Sequence, residues 1–242
     1  MATLAAGHEA GSYSADQSFF VKLAWVLAAI IVFGFAQNAA LGRVDIPAVP
    51  IWVHLHGLAM LGWLALFISQ NRLAASGNLA LHRTLGWLGA FLVCAIVGLA
   101  SFSGVMAIAL HRVPPFFPDA YFLALTQIGT LTFAGLIFAG VANRRDTQTH
   151  RRLMMGGTIA ILEPALGRLL PMPILGLTGE WIILVIQLGF VGAIALQDRK
   201  TLGRIHPATF SAGLVIALAH VVISLAAQSA PVISLAARLA LR

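Results

Sequence analysis

Seven continuous apolar runs, each about twenty residues long, constrain this chain more than any other feature. They lie at about 19–41, 50–70, 84–110, 118–142, 151–170, 176–196 and 207–228. In lipid, every backbone N–H and C=O must be satisfied within the protein, so only helices and closed barrels cross. A barrel strand alternates apolar and polar residues, whereas these runs are unbroken, so each reads as a helix. The expected fold is all-α: a polytopic membrane bundle of seven transmembrane helices spanning residues 19–228. A polar segment at 1–18 precedes the bundle. The tail SAPVISLAARLALR, residues 229–242, is too short to cross and suits an amphipathic helix at the interface.

Composition agrees with a lipid-facing surface. Of 242 residues, 60% are hydrophobic and only 10% charged, too few to cover a water-soluble domain of this length. The net charge of +7 does not mark a nucleic-acid partner, because the basic residues stand in short gaps between apolar runs. Arg72, Arg83, Arg144, Arg145, Arg151, Arg152, Arg199, Lys200 and Arg204 fall on one side of the seven-span arrangement. Arg43, Arg112, Arg168, Arg238 and Arg242 fall on the other, and Lys22 lies beside the amino terminus. The positive-inside rule then predicts the amino terminus inside and the carboxyl terminus outside. Cys94 is the sole cysteine, so no intrachain disulfide and no covalent haem attachment is available.

The three basic gaps lead into a shared pattern: HRTLGWLG from His82, HRRLMMGG from His150 and HPATFSAG from His206. Each has a glycine seven residues after the histidine (Gly89, Gly157, Gly213), close to two helical turns and so on the same face. A glycine there lets a neighbouring helix approach closely, which suggests a hairpin repeated three times. Each histidine has two readings. It either caps a helix start at headgroup level, as Pro207 suggests for His206 and Asp146 or Thr149 for span five, or it is a cofactor ligand.

His220 stands apart, well inside span seven and 14 residues after His206, about 21 Å along the same face. An ionisable side chain at that depth is a functional candidate by default. Two histidines on one helix stripe, one per leaflet, resemble the ligand helices of transmembrane b-type cytochromes. That spacing suggests an outer pair, His56 with His220, and an inner pair drawn from His82, His150 and His206, holding non-covalent b-type haem. His56 is preferred over His54 because it shares a stripe with Met60, Trp63, Phe67 and Gln70. Three inner histidines instead suit a zinc ion with an open position for water, as in a membrane hydrolase. Such an enzyme also needs a general base, and no mid-span carboxylate lies at the inner level. A third reading is a cofactor-free membrane protein acting through partner contacts.

The stretch ILEPALGRLL adds a proline inside a span, with Glu163 a candidate proton carrier and Arg168 a candidate partner for a haem propionate. Spans six and seven contain no lysine for a retinal Schiff base, and no Gly-Lys-Ser/Thr phosphate loop or H-E-x-x-H is present.

The combination of HLHG, LHRTLG, THRRLMM and GRIHPA, covering about residues 50–215, resembles a set of bacterial polytopic membrane proteins with no assigned activity. HRRLM alone is similar to an element of small proteins linked to cytochrome oxidase assembly. These resemblances imply a bacterial inner membrane and a respiratory or redox partner protein, and they assign no catalytic residue.

Overall fold

The computed structural model describes the backbone of residues 2–241 and the side chains of residues 16–241. Its helices are α1 (Ala2–Ala40), α2 (Ile51–Ala75), α3 (Leu79–Ala109), α4 (Asp119–Ala142), α5 (Thr147–Ala160), α6 (Glu163–Leu169), α7 (Met172–Leu175), α8 (Thr178–Leu202), α9 (Pro207–Ala227) and α10 (Ala230–Ala240). Among the described residues there is no strand. Among the described residues six helices are long and apolar enough to cross a membrane: α1 from Asp16 onward, α2, α3, α4, α8 and α9. The chain is therefore an all-helical protein built for multi-pass membrane insertion.

The fifth apolar run departs from the expectation of one continuous helix. α5 stops at Ala160 and α6 begins at Glu163, with a turn between them. Pro164 lacks the N–H that would return to the carbonyl of Ala160, and its ring crowds the preceding turn. The run is split into helices of 14 and 7 residues, each shorter than a bilayer crossing.

Short turns join α2 to α3, α4 to α5 and α8 to α9, all at what we term the inner end. Local chemistry fixes the first two. Gly77 takes φ +75°, and the Asn78 side chain accepts from Leu81 N–H to cap α3. Asp146 caps α5 by accepting from the amides of Gln148 (3.0 Å) and Thr149 (3.3 Å) and from the Thr149 hydroxyl (2.6 Å). That hydroxyl, as the largest cause, holds the Asp146 carboxyl below its usual range.

Within each hairpin the repeat's glycine meets the preceding helix. A Cβ on Gly89 would lie 3.2 Å from Leu66, on Gly157 2.6 Å from Ile137, and on Gly213 3.1 Å from Val191. Lipid offers no hydrophobic drive for one helix to prefer another, so close approach at small residues supplies much of the association. α1 crosses α6 by the same means, since a Cβ on Gly34 would stand 2.7 Å from the Ala165 carbonyl oxygen. Trp63 stacks on Phe67 and meets Phe133 edge-on at 5.2 Å, joining α2 to α4. α10 packs Ala236 against Ile108 of α3 and Leu123 of α4.

Candidate functional site

The structure sorts the histidines into three settings. His82, at the start of α3, and His150, at the start of α5, come together edge-on at the inner end, with ring centroids 6.2 Å apart and planes at 85°. His82 Nδ1 lies 3.3 Å from the carbonyl oxygen of Gln70, and His150 Nδ1 lies 2.8 Å from that of Gly140. A carbonyl only accepts, so Nδ1 carries the proton in both rings and the lone pair sits on Nε2. Gln70 returns the contact by donating its side-chain amide to the His82 carbonyl at 3.0 Å, so α2 clamps the α3 histidine at two points. Metal-binding histidines are commonly oriented in this manner by a carbonyl behind the ring.

His206 does not join them. Its Nδ1 accepts from Ala208 N–H at 3.1 Å and caps α9, while its backbone N–H donates to the Asp198 carboxylate at 3.0 Å. Burial, then the neighbouring Arg152 charge, pushes the His206 imidazole below its ordinary value of 6.5. Among the described residues no three His, Cys, Asp or Glu side chains gather as a metal would require.

His220 is buried, and its Nε2 is 2.9 Å from Gln187 Oε1. The Gln187 amide nitrogen donates to the carbonyls of Ile159 (3.2 Å) and Ala160 (3.0 Å), so Oε1 is the accepting atom and His220 Nε2 carries the proton. Gln187 thus satisfies the carbonyl that Pro164 leaves open, and His220 orients Gln187. With Nε2 engaged in this relay, the lone pair of the His220 ring sits on Nδ1.

His56, Glu163, Gln187, Arg168 and His220 all line one cavity of 1360 Å³ in the outer half of the bundle. It therefore gathers four of the side chains singled out in the sequence: His56, His220, Glu163 and Arg168. His56 Nδ1 is buried there without a hydrogen-bond partner, as is the hydroxyl of Ser103 on α3. Arg168 donates to the Pro164 carbonyl at 2.6 Å and lies over the Phe35 ring, 4.1 Å from its centroid.

Sequence reasoning missed the inner ion pairs. Arg151 and Arg152 belong to a strongly basic stretch and read as orientation signals, yet both lie in α5 and are buried. Arg152, 0% exposed, donates Nε–H to Asp198 at 2.9 Å and NH1 to the Gln148 carbonyl at 3.0 Å. Asp198 also accepts from the Thr209 hydroxyl at 2.6 Å. Arg151 pairs with Asp16, donates to Gln148 at 2.7 Å and lies 4.3 Å from the Phe20 ring centroid. The available signal was that Asp16 and Asp198 sit at the inner ends of spans, where an acid beside so many cations invites pairing. Glu180 was also missed. It is 1% exposed at the start of α8, and both carboxylate oxygens lack a hydrogen-bond partner.

Taken together, the site is two separate pieces of chemistry, an oriented histidine pair at the inner end and a polar-floored cavity in the outer half. Comparison with known proteins adds nothing to either, for no family model, no curated protein and no solved structure matches the chain.

Proposed function

We propose that this is a bacterial inner-membrane protein with its amino terminus inside, in which His82 and His150 hold the iron of a b-type haem for electron transfer, sensing or oxidase assembly. The α5–α6 pair then serves as a seventh, broken crossing. Such breaks are tolerated in a membrane where other groups satisfy the freed backbone, as Gln187 does here.

One observation carries the haem reading: the position and tautomer of the two inner rings. Two neutral imidazoles this close together would hold one iron between them. His82 and His150 are 6.2 Å apart, and their Nδ1 atoms are tied to backbone carbonyls, which leaves Nε2 for the metal. When bound, the haem would supply one-electron chemistry, and the chain's part is to present two neutral imidazoles in fixed orientation. The resemblance of HRRLM to oxidase-assembly proteins agrees with a respiratory partner.

The test is the absorption spectrum of the purified, haem-supplemented protein. A Soret band that sharpens and shifts on dithionite reduction is expected, and it is lost or converted to a five-coordinate form in both His82→Ala and His150→Ala. His206→Ala and His220→Ala keep the band. A protein that takes up no haem, or whose band survives both inner substitutions, overturns the proposal.

A further inference from the structure

We propose that the outer cavity binds a phosphate-bearing amphiphile, an anionic lipid whose headgroup rests on Arg43, Arg112 and Arg168 and whose chain enters the bundle. The inference is independent of the iron ligands at the inner end.

Size comes first. At 1360 Å³ the cavity exceeds the roughly 300–1,000 Å³ of ordinary small-molecule pockets, and its walls are mostly apolar, with Met60, Leu64 and Ile96 among them. Val32, Phe35 and Leu61 line it and are also exposed. The cavity therefore opens sideways onto the surface that faces lipid, the route by which a chain would enter.

Charge selects the headgroup. The charged residues of the lining are Arg43, Arg112, Arg168 and Glu163, so cations outnumber the one carboxylate. The arginines come from three connections at the outer end: the α1–α2 loop, the α3–α4 loop and the end of α6. Arg112 donates to the Ala48 carbonyl at 3.3 Å, which holds the first two loops together. Guanidinium groups pair with phosphate through two parallel N–H bonds, and a rim of three at headgroup level favours an anionic head over a zwitterionic one.

The polar atoms below the rim complete the match. His56 and Ser103 lie five and six residues from the outer ends of α2 and α3, about 8–9 Å down each helix. His56 Nδ1 and the Ser103 hydroxyl are buried and unpartnered. A buried polar atom without a partner needs an explanation. Ester or hydroxyl oxygens just beneath a lipid phosphate would fall at this depth and accept from them.

The decisive experiment measures lipid retained by the full-length protein in detergent. Phosphatidylglycerol and phosphatidylcholine compete at equal concentration, and native mass spectrometry reads the complexes. Wild type is expected to hold phosphatidylglycerol in preference by about tenfold. Replacing Arg43, Arg112 and Arg168 together by Gln should abolish that preference. Gly129 lines the cavity and a Cβ on it meets no atom within 4 Å, so Gly129→Phe fills the body and should lose both lipids while its thermal midpoint stays near wild type. Equal retention of the two lipids by wild type overturns the proposal. So does a folded Gly129→Phe that binds as wild type does. Inorganic phosphate binding that needs the arginines but ignores Gly129→Phe would assign the rim to a free anion and also overturn it.

Discussion

His150, Arg151 and Arg152 are consecutive, yet they do three different things. Successive residues on a helix point about 100° apart, so the three side chains leave α5 toward different neighbours: Gly140 on α4, Asp16 on α1 and Asp198 on α8. Charge counting sees only the sum of such a run and assigns all of it to topology, because the acids lie 135 and 46 residues away in sequence. The histidines were more legible. The cap at His206 follows from Pro207 behind it, whereas His82 and His150 show their partnership only once the hairpins are assembled. His206 also makes a pH prediction. Its ring must be neutral for Nδ1 to accept from Ala208 N–H, and folding lowers its affinity for protons. The unfolded chain therefore takes up a proton first as the medium acidifies. Stability from this cap is full above the ordinary value of 6.5 and is lost as pH falls through the lower folded-state value. In thermal unfolding followed by circular dichroism, His206→Asn should cap α9 at every pH and flatten that acid-side loss. His206→Ala should lower stability at neutral pH by about 1 kcal/mol. An unchanged acid limb in His206→Asn would remove the histidine from this role.

The same shift from composition to partners governs the broken fifth run. Its apolar length and its proline are plain in the sequence, so a bend was predictable. That the helix stops altogether was not, because the outcome depends on who accepts the open backbone. Gln187, on α8, holds the carbonyls of Ile159 and Ala160 across the break, and His220 on α9 holds Gln187. A glutamine within a long apolar span carries no local signal of this task, since its partners come from a helix 27 residues earlier. His220 stands out in the sequence for its depth, and in the structure it contacts Gln187 at the break. Gln187→Leu removes the side-chain donor from both carbonyls, of which only that of Ile159 keeps a backbone donor, Leu162 N–H, and should lower stability by about 1–3 kcal/mol. His220→Ala should cost less in the Gln187→Leu background than alone, with a coupling of about 0.5–3 kcal/mol. Additive losses in a double-mutant cycle, read by thermal unfolding in one detergent, would show that the two side chains act separately.

Across the whole molecule, the two ends of the bundle are built on opposite plans. The outer half encloses the cavity, with polar atoms unpaired. At the inner end, buried charges are paired, so that α1, α5, α8 and α9 meet through Asp16, Arg151, Arg152, Asp198 and Thr209. This division explains why the basic inner loops carry two kinds of arginine. Arg144 and Arg145 are exposed in the α4–α5 turn and are free to act as topology signals, whereas Arg152 is 0% exposed and bound to a carboxylate that is itself 0% exposed. Breaking a buried pair leaves one ion without its partner and costs about 3–5 kcal/mol. Asp198→Asn should therefore lower the thermal midpoint sharply. Adding Arg152→Met should recover only part of the loss, because Thr209 and the His206 amide still depend on the side chain at 198. Neutralising Arg144 and Arg145 together should leave the midpoint near wild type and instead weaken the orientation bias, read by labelling cysteines placed at either end of a Cys94→Ser background. If the Arg144 and Arg145 changes unfold the protein while Asp198→Asn does not, the separation of locking charges from orienting charges is wrong.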